Sequence, residues 1–165
     1  MTPSDCTIEP ARSGDEEALH RLIVGLAQYE RLEHLVVAQP QDLTEVLFGP
    51  NASVEALLVR IAEHPSPVGF ALYFHNYSTF MGRKGLYLED LFVLPEYRGR
   101  GYGRSLLVHL AGLAVERACG RFEWAVLDWN TSAQGFYQSL GAQILPDWRI
   151  TRVTGEALAR LAALG

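Results

Sequence analysis

The stretch GLYLEDLFVLPEYRGRGYGRSLL, residues 85–107, decides how this chain folds. Residues 84–95 are almost wholly apolar and read as a strand, with two acids, Glu89 and Asp90, set inside it. Three glycines then alternate with Arg100 and Tyr102, and Arg98 and Arg104 flank them. Beyond them Leu106, Leu107, Leu110, Ala111, Ala114 and Val115 keep the 3.6-residue period of a long helix. A strand that turns through glycines into a helix brings free N–H groups and the positive end of the helix dipole to one place, a ready anion site. Glycine suits that place because a backbone without side chains can approach a ligand closely. The string is not the P-loop G-x-x-x-x-G-K-[ST], and Gly99, Gly101 and Gly103 give G-x-G-x-G, not the dinucleotide fingerprint G-x-G-x-x-G. What remains is R-x-x-G-x-G over residues 98–103, which points to a pyrophosphate-bearing ligand. The plain alternative is a turn that only connects strand to helix.

Outward from this stretch the chain reads as alternating short elements. Strands are expected at 6–11, 53–62, 67–77, 84–95, 121–129 and 148–155. Helices are expected at 13–32 (capped by Ser13 or Asp15), 40–49, after the glycines, 131–141 and 156–164. Strands occur both as adjacent pairs and as pairs separated by a helix, so the class is α/β with a mixed sheet and helices on its faces. The chain has 165 residues, no repeat and no long linker, which predicts a single domain over 1–165.

Composition narrows the function classes. Hydrophobic residues are 48% and charged residues 20%, as in an ordinary globular domain, and no apolar run is long enough to span a membrane. The net charge of −5 disfavours nucleic acid and favours cationic partners, or serves only solubility. Two cysteines, Cys6 and Cys119, fit a reducing cytoplasm, and neither they nor the five histidines show metal-ligand spacing. No metal and no membrane partner are therefore expected, and the N-terminus lacks an export pattern.

The glycine signature resembles that of the GCN5-related N-acetyltransferases. GLYLEDLFVLPEYRGRGYG, AVLDWNTSAQGFYQSLGA and YSTFMGR together resemble their diamine acetyltransferase branch, nearest to its thialysine N-acetyltransferases. The resemblance implies a mixed sheet whose two central parallel strands splay apart around acetyl-CoA. It implies that the backbone of Leu91, Phe92 and Val93 pairs with the pantetheine arm like an added strand. Residues 98–104 (Arg98, Gly99, Arg100, Gly101, Tyr102, Gly103 and Arg104) would hold the pyrophosphate, and Asn130 and Ala133 would meet the arm from the next strand and helix. A homodimer is also implied.

Acetyl transfer to an amine has two proton problems. An alkyl amine of pKa near 10.4 is only about 0.04% neutral at pH 7, a deficit of roughly 4–5 kcal/mol, and the leaving thiolate gains from a proton donor. Glu89, in a strand of apolar residues, is the candidate base, or else a structural ion-pair partner. Asp90 points to the opposite face unless a bulge, which the resemblance implies, breaks the pleat. Tyr137 matches the family's proton donor to sulfur, though a lone tyrosine in a short helix is also ordinary packing. Tyr29, Glu30, Glu89 and Asp147 are the candidate substrate-binding residues; Tyr29 equally extends an apolar helical stripe. Ser78 stands where the diamine enzymes carry an acid, and the loop before Trp148 is short, with Asp147 its only carboxylate. Both departures favour an amino-acid-like amine over a long polycation. The expected activity is acetyl-CoA-dependent transfer to a small thialysine-like amine. A polyamine acetyltransferase, a lysine acetyltransferase on proteins and a non-catalytic acyl-CoA-binding module are the alternatives.

Overall fold

The computed structural model describes residues 3–165. The chain divides into two compact units, one ending at Ala125 and one running from Val126 to Gly165. The first unit carries β1 (Cys6–Pro10), α1 (Glu16–Glu30), α2 (Pro40–Phe48), β2 (Glu55–Ile61), β3 (Gly69–Ser78), β4 (Arg83–Val93), α3 (Tyr102–Glu116) and β5 (Phe122–Trp124). The second carries α4 (Thr131–Ser139) and α5 (Gly155–Ala162).

The five strands form one mixed sheet in the order β1-β2-β3-β4-β5. The first four are antiparallel neighbours, and β5 runs parallel to β4. The strand expected at 121–129 is thus reduced to three residues, and the one expected at 148–155 does not form. Alternation of Trp148 and Ile150 with Arg149 and Thr151 supplies one half of a strand signal only. Without a partner ladder, such a stretch has no hydrogen-bonding reason to extend.

Cross-strand partners share a face of a sheet, so the register sorts the core. Phe70 faces Phe92 and Leu58, and with Ala56 and Leu72 these pack against Leu19 and Leu22 of α1 and Leu43 of α2. The opposite face carries Leu57, Leu86 and Leu88, and the buried residues of α3, Leu106, Leu107 and Leu110, supply the apolar stripe that covers a sheet face. Helices thus lie on both faces, as the alternating pattern implies. Asp15 stands at the N-cap of α1, but its carboxylate turns back to accept from the Arg12 N–H at 2.9 Å and to pair with Arg60.

A glycine sets how closely α1 approaches the sheet. A Cβ on Gly25 would lie 3.0 Å from Cε1 of Phe92. Replacing it with alanine gains about 1 kcal/mol of helix propensity against that contact. Valine adds branching where Phe92 is buried on all sides. Gly25→Ala should therefore leave the chemical-denaturation midpoint nearly unchanged, and Gly25→Val should lower stability by about 2 kcal/mol.

Candidate active site

Where β4 passes its middle, its two edges part company. On one side it pairs with β3 along its whole length; on the other, the ladder to β5 is Leu86–Phe122, Tyr87–Glu123 and Leu88–Trp124 and goes no further. From Glu89 to Val93 no described strand pairs with that edge. The expected pair of parallel strands is present, and their pairing ends at Leu88–Trp124. Backbone groups alternate in direction along an antiparallel strand. The Leu94 N–H donates to Val68 O at 2.9 Å, so Leu94 and Phe92 face β3, while Leu91 and Val93 face the open edge. Of the three residues expected to pair with an extended amide ligand, Leu91 and Val93 present their backbone to it. Phe92 turns its backbone to β3 and its ring to α1. The Val93 carbonyl already accepts from Arg98 Nε at 3.0 Å.

The glycine loop follows directly. Gly99 (φ 76°) and Gly101 (φ 88°) adopt left-handed backbone that side chains resist, and Gly101 is the N-cap residue of α3. The first intrahelical bond runs from the Ser105 N–H to Gly101 O, so the N–H groups of Tyr102, Gly103 and Arg104 precede the helical ladder. A Cβ on Gly103 would come no closer than 3.8 Å to any protein atom, and φ there is unremarkable for a side chain. No side chain crowds position 103, so the helix start is open there. Arg98 serves the protein rather than the loop's concave side. Its guanidinium lies over Tyr29 (4.4 Å to the ring centroid) and Phe92 (5.4 Å). Such stacking ties the end of α1 to the start of the loop.

The carboxylates gather one step upstream. The β3–β4 register shifts between Leu72 and Tyr73: Leu72 faces Asp90, Tyr73 faces Leu88, and Glu89 is the extra residue. This bulge breaks the pleat and puts Asp90 on the α1 face with Phe92. Glu89 is exposed and Asp90 partly buried. Burial, and then the negative charges of Glu89 and Glu30, push the Asp90 carboxyl up to about 6. Burial also raises Glu30 at the end of α1. Glu30, Glu89 and Asp90 are therefore brought together, and Tyr29 lies beside them under Arg98. Asp90 is the residue that sequence reasoning passed over. The available signal was two consecutive acids in an apolar strand, which only a bulge can place in one site.

The second unit holds the remaining candidates. Asn130 is the N-cap residue of α4, and its Oδ1 accepts from the Ala133 N–H at 3.2 Å, so that carbonyl and that N–H already serve the helix. Tyr137 lies in α4, half-buried, with its ring against Phe136. Asp147 is exposed, in the turn before Trp148.

Comparison with known proteins matches residues 20–142 to the acetyltransferase (GNAT) family. This chain belongs to that family. A thialysine N-epsilon-acetyltransferase of Mus musculus is 38% identical over 94% of the chain and 96% of its own length. An L-ornithine N5-acetyltransferase of Arabidopsis thaliana is 33% identical over 95% and 88%. Among solved structures, an integron cassette protein from V. cholerae superposes with a TM-score of 0.79 at 27% identity, covering 96% of this chain and 98% of that one.

GNAT proteins use acetyl-CoA as acetyl donor, and the first unit offers what such a ligand needs: an unpaired strand edge, then a run of N–H groups at a helix start. In this GNAT chain Ser78 is buried, its Oγ accepting from the Met81 N–H at 3.3 Å. The β3–β4 turn therefore presents no carboxylate at that position. No helix of the described residues is long and apolar enough to cross a membrane.

Asp90 carries a stability signature. Its folded-state pKa lies above the 3.8 of an unperturbed carboxyl, so the folded chain holds a proton that the unfolded chain has lost. The resulting penalty is absent below about pH 4, grows between about 4 and 6, and amounts to about 3 kcal/mol above that. Asp90→Asn should raise the melting temperature at pH 8 by roughly 6–12 °C, with the difference closing toward pH 4. The same variant should lose about 10²-fold in kcat, measured under saturating acetyl-CoA.

Proposed function

We propose that this chain transfers the acetyl group of acetyl-CoA directly to the terminal side-chain amine of a small, amino-acid-like substrate such as thialysine. The observation that carries this reading is the order of parts on one strand: an acidic bulge, then an open backbone edge, then the glycine turn. That order suits an amine site beside the thioester end of an extended ligand with its diphosphate on residues 99–104. Acetyl-CoA supplies a thioester carbonyl. The Leu91 and Val93 backbones fix its arm, and Glu30, Glu89 and Asp90 attract the ammonium. One proton leaves the ammonium for this carboxylate group before the C–N bond forms; as the C–S bond breaks the sulfur takes a proton from Tyr137, the donor that the family resemblance implies, and the second amine proton restores the phenol by way of solvent.

Asp90 suits the role of proton acceptor better than an ordinary carboxylate. Moving a proton from an alkylammonium of pKa about 10.4 to a carboxyl of pKa about 6 is uphill by ~6 kcal/mol, against ~9 kcal/mol for an unperturbed aspartate. Glu89, exposed at the bulge, meets the ammonium and raises Asp90. Tyr29, Glu30 and Asp147 are proposed to select the substrate. The named activities of the ornithine and thialysine relatives concern terminal nitrogens of amino acids, and the missing acid at Ser78 weakens the grip on a second, distal ammonium. A relative named spermidine/spermine N(1)-acetyltransferase-like protein 1 keeps the polyamine reading as the second one, at 32% identity over 94% of this chain but only 23% of that protein. We propose in addition that the chain works as a homodimer.

Release of free thiol from acetyl-CoA, measured with thialysine, lysine, ornithine, spermidine and a histone-tail peptide, tests the reading. Thialysine or ornithine should give the highest kcat/KM. Tyr137→Phe should lower kcat by about 10²-fold or less, with KM for the amine nearly unchanged, because proximity persists without the proton donor. Highest efficiency with spermidine would move the assignment to polyamines, and coenzyme binding without turnover would make the chain a binding module.

A further inference from the structure

One polar pair at the glycine loop has no part in the chemistry above. Tyr102, the first residue of α3, stands between Gly101 and Gly103 and is 1% exposed. Its phenol donates to Asp5 Oδ2 at 2.7 Å, across 97 residues of sequence. The lead-in to β1 lies against the same turn: a Cβ on Gly101 would meet Pro3 Cγ at 3.6 Å. The Pro3 carbonyl accepts from the Cys6 N–H at 3.4 Å, so this short segment is itself folded. Arg100 also hydrogen-bonds the Tyr102 phenol, pairs with Glu63, in the connection from β2 to β3, at 3.6 Å, and lies 5.2 Å over the Tyr97 ring. The two left-handed glycines, by contrast, bring no side chain to hold the turn in place.

A flexible glycine turn presents its N–H groups to an anion in only a fraction of its conformations, and affinity falls by that fraction. A buried phenol fixed at one end by its helix and at the other by a carboxylate removes much of that freedom. We propose that Asp5 is a positioning residue for the cofactor. Through Tyr102 it holds the Gly99–Gly103 backbone in the shape that receives the coenzyme A diphosphate. Asp5 touches neither the amine nor the thioester; it acts on the loop alone. This inference rests on the proposed reading that the loop binds acetyl-CoA.

The test is calorimetric binding of coenzyme A, with KM for acetyl-CoA and for the amine measured separately, on wild type, Asp5→Ala, Asp5→Asn, Tyr102→Phe and the Asp5→Ala/Tyr102→Phe double variant. Asp5→Ala and Tyr102→Phe should each weaken coenzyme A binding about ten-fold, and the double variant no more than Tyr102→Phe alone, since Tyr102→Phe already removes the Asp5 bond together with the one to Arg100. Asp5→Asn keeps an acceptor and should stay within three-fold of wild type. In Asp5→Ala the KM for acetyl-CoA should rise in step with the dissociation constant while the amine KM holds. Melting temperatures identify a merely structural role: a lowered midpoint with coenzyme A affinity unchanged, well below that midpoint, overturns the proposal. So do additive losses in the double variant, or an Asp5→Asn loss as large as that of Asp5→Ala, which would make charge the cause. If wild type itself fails to bind coenzyme A, the functional reading fails instead.

Discussion

A backbone strand tolerates an unpaired edge only if something else takes up its hydrogen bonds, and this requirement governs the molecule. β4 is held on one side by β3 throughout and released on the other after Leu88. The large apolar residues that anchor it, Leu86 and Leu88 below the split and Phe92 above it, are buried, so the strand keeps its course without a second neighbour. Everything attributed to the site hangs on that course. The bulge sits just where pairing to β5 ends, and the glycine turn begins just where pairing to β3 ends. The acids and the loop thus occupy the two ends of one short open segment.

The carboxylates show how local packing sets chemistry. A regular strand would have put Leu88 and Asp90 on the same face and left one of them misplaced. With the register shift, Leu88 stays with the α3 side and Asp90 moves to the α1 side. There it meets Glu30 from α1 and the adjacent Glu89, and half-burial does the rest. Three neighbouring acids destabilise a folded chain at neutral pH, a cost that the proposed binding of an ammonium there would offset. An ammonium arriving among them relieves the repulsion that it finds.

Much of this was legible before any coordinates. The 3.6-residue stripes of α1 and α3, the apolar runs of β2 to β4 and the glycine turn are strong local signals, and each element appears within a few residues of its expected bounds. The failures have a common cause. β5 shrinks to Phe122–Trp124 and no strand forms near Trp148, because strand formation needs a partner and the sequence of one segment does not carry it. The contacts of Arg98 lay out of reach for a similar reason: an arginine beside glycines suggests an anion, and only the fold reveals that it also stacks on Tyr29 and Phe92. Asp90 depended on a register shift, a property of two strands together.

The stacking of Arg98 has a consequence for how the two substrates influence one another. Its guanidinium belongs to the loop proposed for the diphosphate, yet it rests on Tyr29, next to the acid Glu30. If the loop takes the diphosphate and the end of α1 the amine, as proposed, this stack is the contact through which one ligand would act on the other. Equilibrium linkage makes the two effects equal: whatever factor one ligand applies to the affinity of the other is returned in full. A single side chain thereby ties the glycine loop to the end of α1.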